Sequence, residues 1–295
     1  MPDDHAPDGA AGTPDLAARG GVARTPDGLR IAYSVRGDGP PVVAVHATGF
    51  HRGVWAPWLP KLAERFRVVT LDQRGHGDSD KPESGYAWEG FATDVLAVVD
   101  ALGLGDPAGI GHSAGAAALA LAEASRPHTF SRLVLMDPVC APPEVRELAR
   151  SGPNPMAAAT RKRRRVWPSH NAMVERLREG SPLHAWREDV LRAYVEGGTR
   201  LLADGTIELK CPPAGEAQIY EMGMVHKGWE AIGELRCPTL LLAGETSELW
   251  PARPRERIAG ALAEGRVEIV RGGHFFPQEN PDDTLERVLG FLDER

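Results

Sequence analysis

Five consecutive residues, Gly111-His112-Ser113-Ala114-Gly115, limit what this chain can become more than any others. They read G-x-S-x-G. A serine hydroxyl is a weak nucleophile unless it is held exposed, next to a base and beside hydrogen-bond donors. A sharp strand-to-helix turn holds it so, and flanking glycines let the backbone make that turn without clashes. Alone the pattern is weak, since ordinary glycine and serine frequencies give a chain of this length roughly 0.1 chance matches. Its flanks strengthen it. Ala108-Gly109-Ile110 makes a short, poor buried strand. Ala114 to Arg126 is an alanine- and leucine-rich run of strong helix propensity, with residues small enough to pack close to a sheet. The plainer alternative is a Gly/Ser loop capping an ordinary helix.

The rest of the chain supplies the setting for such a turn. Gly21 to Val35 reads as a hairpin about the turn Thr25-Pro26-Asp27-Gly28. Val42 to Val45 and Arg67 to Leu71 are apolar enough for the centre of a parallel sheet. Trp55 to Phe66 suggests a helix kinked or split at Pro60, and Trp88 to Leu102 has helical spacing. Leu133 to Met136 is a strand ending at Asp137. From Pro138 to Leu235 the pattern is helical, with segments at 156–167, 170–178, 188–202 and 216–224 and no convincing strand pair. Strands return at Thr239 to Leu242 and Val267 to Val270, with helices at 254–263 and 282–292. The expectation is a doubly wound α/β sheet with an inserted helical cap. The divisions are a flexible tail over 1–20, a core of 21–137 and 236–295, and a cap over 138–235.

Composition narrows the function classes. The formal net charge of −7 over 295 residues gives no reason to expect nucleic acid or an anionic membrane as partner. No apolar run reaches membrane-spanning length, and the Pro-, Gly- and Asp-rich start does not read as a signal peptide. The three cysteines, Cys140, Cys211 and Cys237, lie far apart, which suits a reducing, cytoplasmic compartment. The expected partner is a small-molecule substrate, and a homodimer stays open.

Four motifs in order carry a resemblance. They are His46-Ala47-Thr48-Gly49-Phe50 after the third strand, Asp72-Gln73-Arg74-Gly75-His76-Gly77 after the fourth, the G-x-S-x-G turn after the fifth, and Gly272-Gly273-His274 near the end. From about Gly21 to the C-terminus the chain resembles a capped serine esterase of the α/β-hydrolase fold, a mostly parallel sheet flanked by helices. That resemblance implies Ser113 as nucleophile and His274 as base, in the chain order Ser…acid…His. Members with an aspartate nucleophile, the haloalkane dehalogenases and epoxide hydrolases, do not match Ser113.

The acid has two candidates. Relatives commonly place it after the seventh strand as G-x-x-D, where this chain has Gly244-Glu245-Thr246-Ser247, and a variant pattern moves it one residue on, to Glu248. The expected acid is Glu248, with Asp137 at the end of the sixth strand as the alternative. The resemblance also implies an oxyanion hole from the backbone N–H groups of Ala114 and Thr48. His46, His76 and His112 read as structural hydrogen-bonders, and Asp72, Asp78 and Asp80 as structural rather than metal-binding. Expected pocket residues are Phe50, Trp167, Trp186, Trp250 and Phe275, which favour an apolar or aromatic substrate. The run Arg161 to Arg165 reads as a solvated helix face, with an anion site as the other reading.

The expected activity is hydrolysis of carboxylic esters through an acyl-enzyme, with no metal or organic cofactor. Hydrolysis of carbon–carbon bonds in β-diketone-like compounds and a perhydrolase side activity remain open, as does a small-molecule receptor built on the same fold.

Overall fold

The computed structural model describes residues 19–144, 146, 154–223 and 225–294. Its centre is an eight-stranded sheet in the order β1-β2-β4-β3-β5-β6-β10-β11. The strands are β1 (Arg19–Arg24), β2 (Arg30–Arg36), β3 (Pro41–Val45), β4 (Arg67–Leu71), β5 (Ala108–His112), β6 (Arg132–Met136), β10 (Thr239–Gly244) and β11 (Gly265–Val270). β1, β2 and β4 pair antiparallel at one edge, and every pairing from β4 onward is parallel. The tail expected over 1–20 lies outside the described residues except for Arg19 and Gly20, which already belong to β1.

The central strands are apolar along their whole length because both faces are covered. In β3, Val43 and Val45 point into one apolar layer while Val42 and Ala44 point into the other. The weak strand beside it, β5, has a physical reason for its glycines. A side chain on Gly109 would strike Leu133 and Leu119, and one on Gly111 would come within 2.6 Å of the Ala116 backbone. Glycine lets helix α3 (Ala114–Ser125) lie almost against the sheet, and its buried alanines fill the narrow space left. Before it in the chain come α1 (Leu59–Ala63) and α2 (Trp88–Ala101). Pro60 starts α1 rather than kinking a longer helix, as suits a residue without an N–H.

The insertion between β6 and β10 differs from the all-helical cap expected. It contains α4 (Pro155–Arg161), α5 (His170–Arg178), α6 (Glu188–Gly197), α7 (Pro213–Met222) and α8 (Gly228–Glu234). It also contains an antiparallel sheet of β7 (Val166–Trp167), β8 (Thr199–Leu201) and β9 (Ile207–Leu209), in the order β7-β9-β8. The helix expected to run to Leu202 stops at Gly197, and the chain turns back through Asp204-Gly205. The carboxylate of Asp204 accepts from the Thr206 N–H and hydroxyl, and Gly205 has φ +85°. The last cap helix, α8, packs back on α3 of the core. After β10 come α9 (Ala252–Ala261), α10 (Phe276–Glu279) and α11 (Pro281–Asp293). Among the described residues no helix is long and apolar enough to cross a membrane.

β3 has β4 on one side and β5 on the other, so the chain leaves β3 and β5 towards opposite faces. A parallel sheet opens a crevice at the carboxyl ends of such strands. The Thr48 loop follows β3 and Ser113 follows β5, which puts both at that crevice.

Candidate active site

Ser113 sits between β5 and α3 with φ 55° and ψ −113°, a conformation that costs a non-glycine residue about 1–3 kcal/mol. Its surroundings enforce it. The Ser113 N–H donates to Met136 O at 2.9 Å, and its carbonyl accepts from Ala117 at 3.1 Å and Val139 at 3.2 Å. A side chain on Gly115 would run into the Val45 and His46 carbonyls. Gly115→Ala is therefore expected to destabilise the protein by about 1–3 kcal/mol or more, read as a fall in the thermal midpoint. An unchanged midpoint would mean that α3 does not press on β3 as described.

His274 follows β11 and the two glycines Gly272 and Gly273. Its Nε2 lies 3.0 Å from Ser113 Oγ and its Nδ1 2.6 Å from Asp137 Oδ2. The acid beside the histidine is thus Asp137, the alternative, and not Glu248. Asp137 has no solvent exposure. Besides His274 its carboxylate accepts from the Ser247 hydroxyl at 2.5 Å and the Gly244 N–H at 3.2 Å. Glu248 is exposed, at the wall of the cavity beyond. The reason is strand order. β6 and β10 are neighbours, with Met136 paired to Leu242, so the loops after both strands open on one spot. Asp137 leaves its strand beside the imidazole, and Ser247, in the loop after β10, supports it with a hydroxyl.

Three further histidines are buried and shifted towards neutrality by desolvation. His46 lies in the β3 loop, where its Nε2 accepts from the Gln73 N–H at 3.1 Å. His76, pushed down to about 4, accepts from the Gly49 N–H at 2.9 Å and so braces the loop that carries Thr48. His112 donates from Nε2 to the His274 carbonyl at 2.8 Å and so fixes the backbone of the loop after β11. Asp72 accepts from the Arg52 side chain and backbone and from Asp78 N, Asp78 pairs with Arg52 and Lys210, and Asp80 accepts from Arg30 N.

Ser113 and His274 open into a cavity of about 970 Å³ with Thr48, Phe50, Trp88, Val139, Ile219, Leu249 and Phe275 among its walls. Ala114 is the first residue of α3, so its N–H is one of the helix donors without an intrahelical acceptor. Of the aromatic residues expected in the pocket, Phe50 and Phe275 line this cavity. Trp167 lines a second cavity of about 430 Å³ that shares Thr48, Phe50, Met156, Tyr220 and Phe275 with the first. Trp186 and Trp250 line neither. Trp186 is core, edge-on to Phe50 and Phe275. Trp250 stacks on Trp229 and donates to Pro138 O at 2.7 Å, which pins the stem of the insertion. Tyr220 of the insertion lines both cavities, and Trp88, which carries no signal in sequence beyond helical spacing, lines the larger one.

Above the Thr48 loop the insertion contributes an ion pair whose carboxylate is buried and whose guanidinium is partly exposed. Glu216 of α7, 3% exposed, accepts from Arg163 Nη1 at 2.7 Å. Its carboxylate lies so close to Gly49 that a side chain there would come within 2.5 Å of Oε1. Burial raises the Glu216 carboxyl above its usual range, while Arg163 holds it down. Removing one member of such a pair leaves a charge uncompensated. Glu216→Ala is expected to destabilise the fold by about 1–2 kcal/mol, less than for a fully buried pair because Arg163 is partly exposed, with part regained in Glu216→Ala/Arg163→Met, as urea midpoints would show. Equal midpoints for the native chain and the single variant would contradict this.

Comparison with known proteins decides the family. The sequence profile of the alpha/beta hydrolase family matches residues 42–287. The chain belongs to that family. Among curated alpha/beta hydrolase relatives it is similar to 2-(acetamidomethylene)succinate hydrolase of Mesorhizobium japonicum, 28% identical over 282 residues covering 95% of this chain and 98% of that protein. A soluble epoxide hydrolase of a Corynebacterium species is 26% identical over 282 residues, covering 90% of this chain and 94% of that protein. The crystal structure of E-2-(acetamidomethylene)succinate hydrolase superimposes with a TM-score of 0.82 at 25% identity, over 94% of this chain and 100% of the other. The chain is thus an alpha/beta hydrolase along nearly its whole described length.

Proposed function

We propose that this alpha/beta hydrolase is a serine hydrolase that cleaves carboxylic esters of apolar or aromatic small molecules through an acyl-enzyme. The observation that carries the reading is the hydrogen-bonded series Ser113 Oγ, His274, Asp137 at the floor of a largely apolar cavity. With Nδ1–H directed at the Asp137 carboxylate, Nε2 is free to accept the serine proton. Oγ then bonds to the substrate carbonyl carbon. The carbonyl π electrons move onto oxygen, which faces the N–H groups of Ala114 and Thr48. Each such donor is worth about 3–4 kcal/mol of transition-state stabilisation. Collapse breaks the bond to the alcohol, which leaves with the proton from Nε2. Water, deprotonated by the same nitrogen, repeats the sequence on the ester and frees Ser113.

The name of the Mesorhizobium relative places hydrolysis of an acetamido compound on the same scaffold, which supports acyl chemistry here. Epoxide opening receives no such support. A serine attacking an epoxide would leave an ether, which water does not readily cleave, whereas a carboxylate would leave a hydrolysable ester. The test is steady-state hydrolysis of p-nitrophenyl esters from acetyl to long acyl, with mass spectrometry for an acyl adduct on Ser113. Sustained turnover with an adduct is expected. A single burst would favour a receptor on this fold, and inertness towards every ester would favour carbon–carbon bond hydrolysis.

A further inference from the structure

The second cavity is not explained by ester chemistry alone. Its wall is mostly apolar, with Phe50, Trp167, Met173, Leu177, Leu183 and Phe275 among the lining residues. Yet it also carries Arg163, Arg164 and Arg176 against one carboxylate, Glu216. In the basic run, Arg161 pairs with Glu221, Arg163 with Glu216 and Arg165 with Glu208. Arg164 has no carboxylate partner among the described residues, and neither does Arg176 in the last turn of α5.

Arg164 is nevertheless held in place. Its guanidinium lies 5.0 Å from the centre of the Trp167 ring, and the Trp167 indole N–H donates to the Arg164 carbonyl at 3.0 Å. Stacking on an aromatic face orients a guanidinium while leaving its in-plane N–H fork unused. Such a fork matches the two oxygens of a carboxylate. The fork belongs to a chamber that borders the cavity of Ser113 and His274, with Thr48, Phe50 and Phe275 lining both.

We infer that the second cavity is a subsite for a carboxylate at the far end of the substrate, held by Arg164 and Arg176, while the scissile ester lies at Ser113. The inference rests on the esterase reading and sharpens its substrate class to esters with an apolar body and a distal carboxylate.

The test compares p-nitrophenyl monoesters of α,ω-dicarboxylic acids with p-nitrophenyl esters of monocarboxylic acids of equal length. At the length that spans the two cavities, the acid-ended ester is expected to show kcat/KM about tenfold higher or more. The advantage resides in KM and shrinks as salt is raised. In Arg164→Ala/Arg176→Ala the ratio falls towards one, and Arg164→Lys, which keeps the charge but not the fork, retains part of it. A preference for neutral esters at every length, or a ratio that survives the double substitution, overturns the subsite. If no ester is turned over, the esterase reading fails, and calorimetry on Ser113→Ala judges the subsite alone. There adipate, pimelate and suberate are titrated against the matching monocarboxylates. Tighter binding of a diacid that is lost in the arginine variants upholds the subsite, and equal binding overturns it.

Discussion

Ser113→Ala is expected to lower kcat for a p-nitrophenyl ester by roughly a million-fold, because the three residues act as a unit and loss of the nucleophile disables the other two. The residual rate would come from the oxyanion donors and from holding the ester in place. The same position allows a second reading of the turn. Ser113 has φ 55°, which only glycine adopts without strain. Ser113→Gly should therefore be equally inactive yet more stable, by about 1 kcal/mol, because the strain is released. Kinetics and thermal melts on both variants check this. More than a hundredth of native activity in Ser113→Ala would remove the serine from the chemistry.

The second large effect separates the two candidate acids. Asp137→Asn is expected to reduce kcat by about 10⁴-fold while Glu248→Gln stays within about twofold. The asparagine amide would offer an N–H to Nδ1 where a carboxylate accepts one. The imidazole would then carry its proton on Nε2, the atom that has to accept the serine proton. Ser247 and the Gly244 N–H would still hold the side chain, so the fold should survive and the loss should lie in kcat. Glu248 is exposed and has no place in the series. Loss of activity in Glu248→Gln with activity kept in Asp137→Asn would reverse the assignment.

Much of this was legible in the chain, for identifiable reasons. β3, β6 and β10 are buried on both faces and so read as continuous apolar runs. The glycines about Ser113 announce a turn in which two pieces of backbone nearly touch. The acid was ambiguous because two strand ends compete for one imidazole, and only the lateral order of strands decides between them. A sequence does not display that order. The small sheet in the insertion leaves little mark in the sequence because strands of two or three residues are too short for an alternating pattern, and only the Asp204-Gly205 turn signals it. Trp250 and Phe275 lie in the loops after β10 and β11, but the first turn sends one inward to Trp229 and the second sends the other to the cavity. Composition records neither direction.

The point at which the insertion leaves the core has a bearing on how it could be exchanged. β6 ends at Met136, Asp137 follows at once, and the Pro138 carbonyl is already tied to Trp250. The carboxylate that His274 bonds therefore belongs to the last residues of the core before the insertion begins. Exchange of one roof for another, by recombination or in the laboratory, has a narrow permissible seam just beyond that tie. A cut placed earlier carries the acid away with the old roof. A cut placed later leaves Asp137 beside His274.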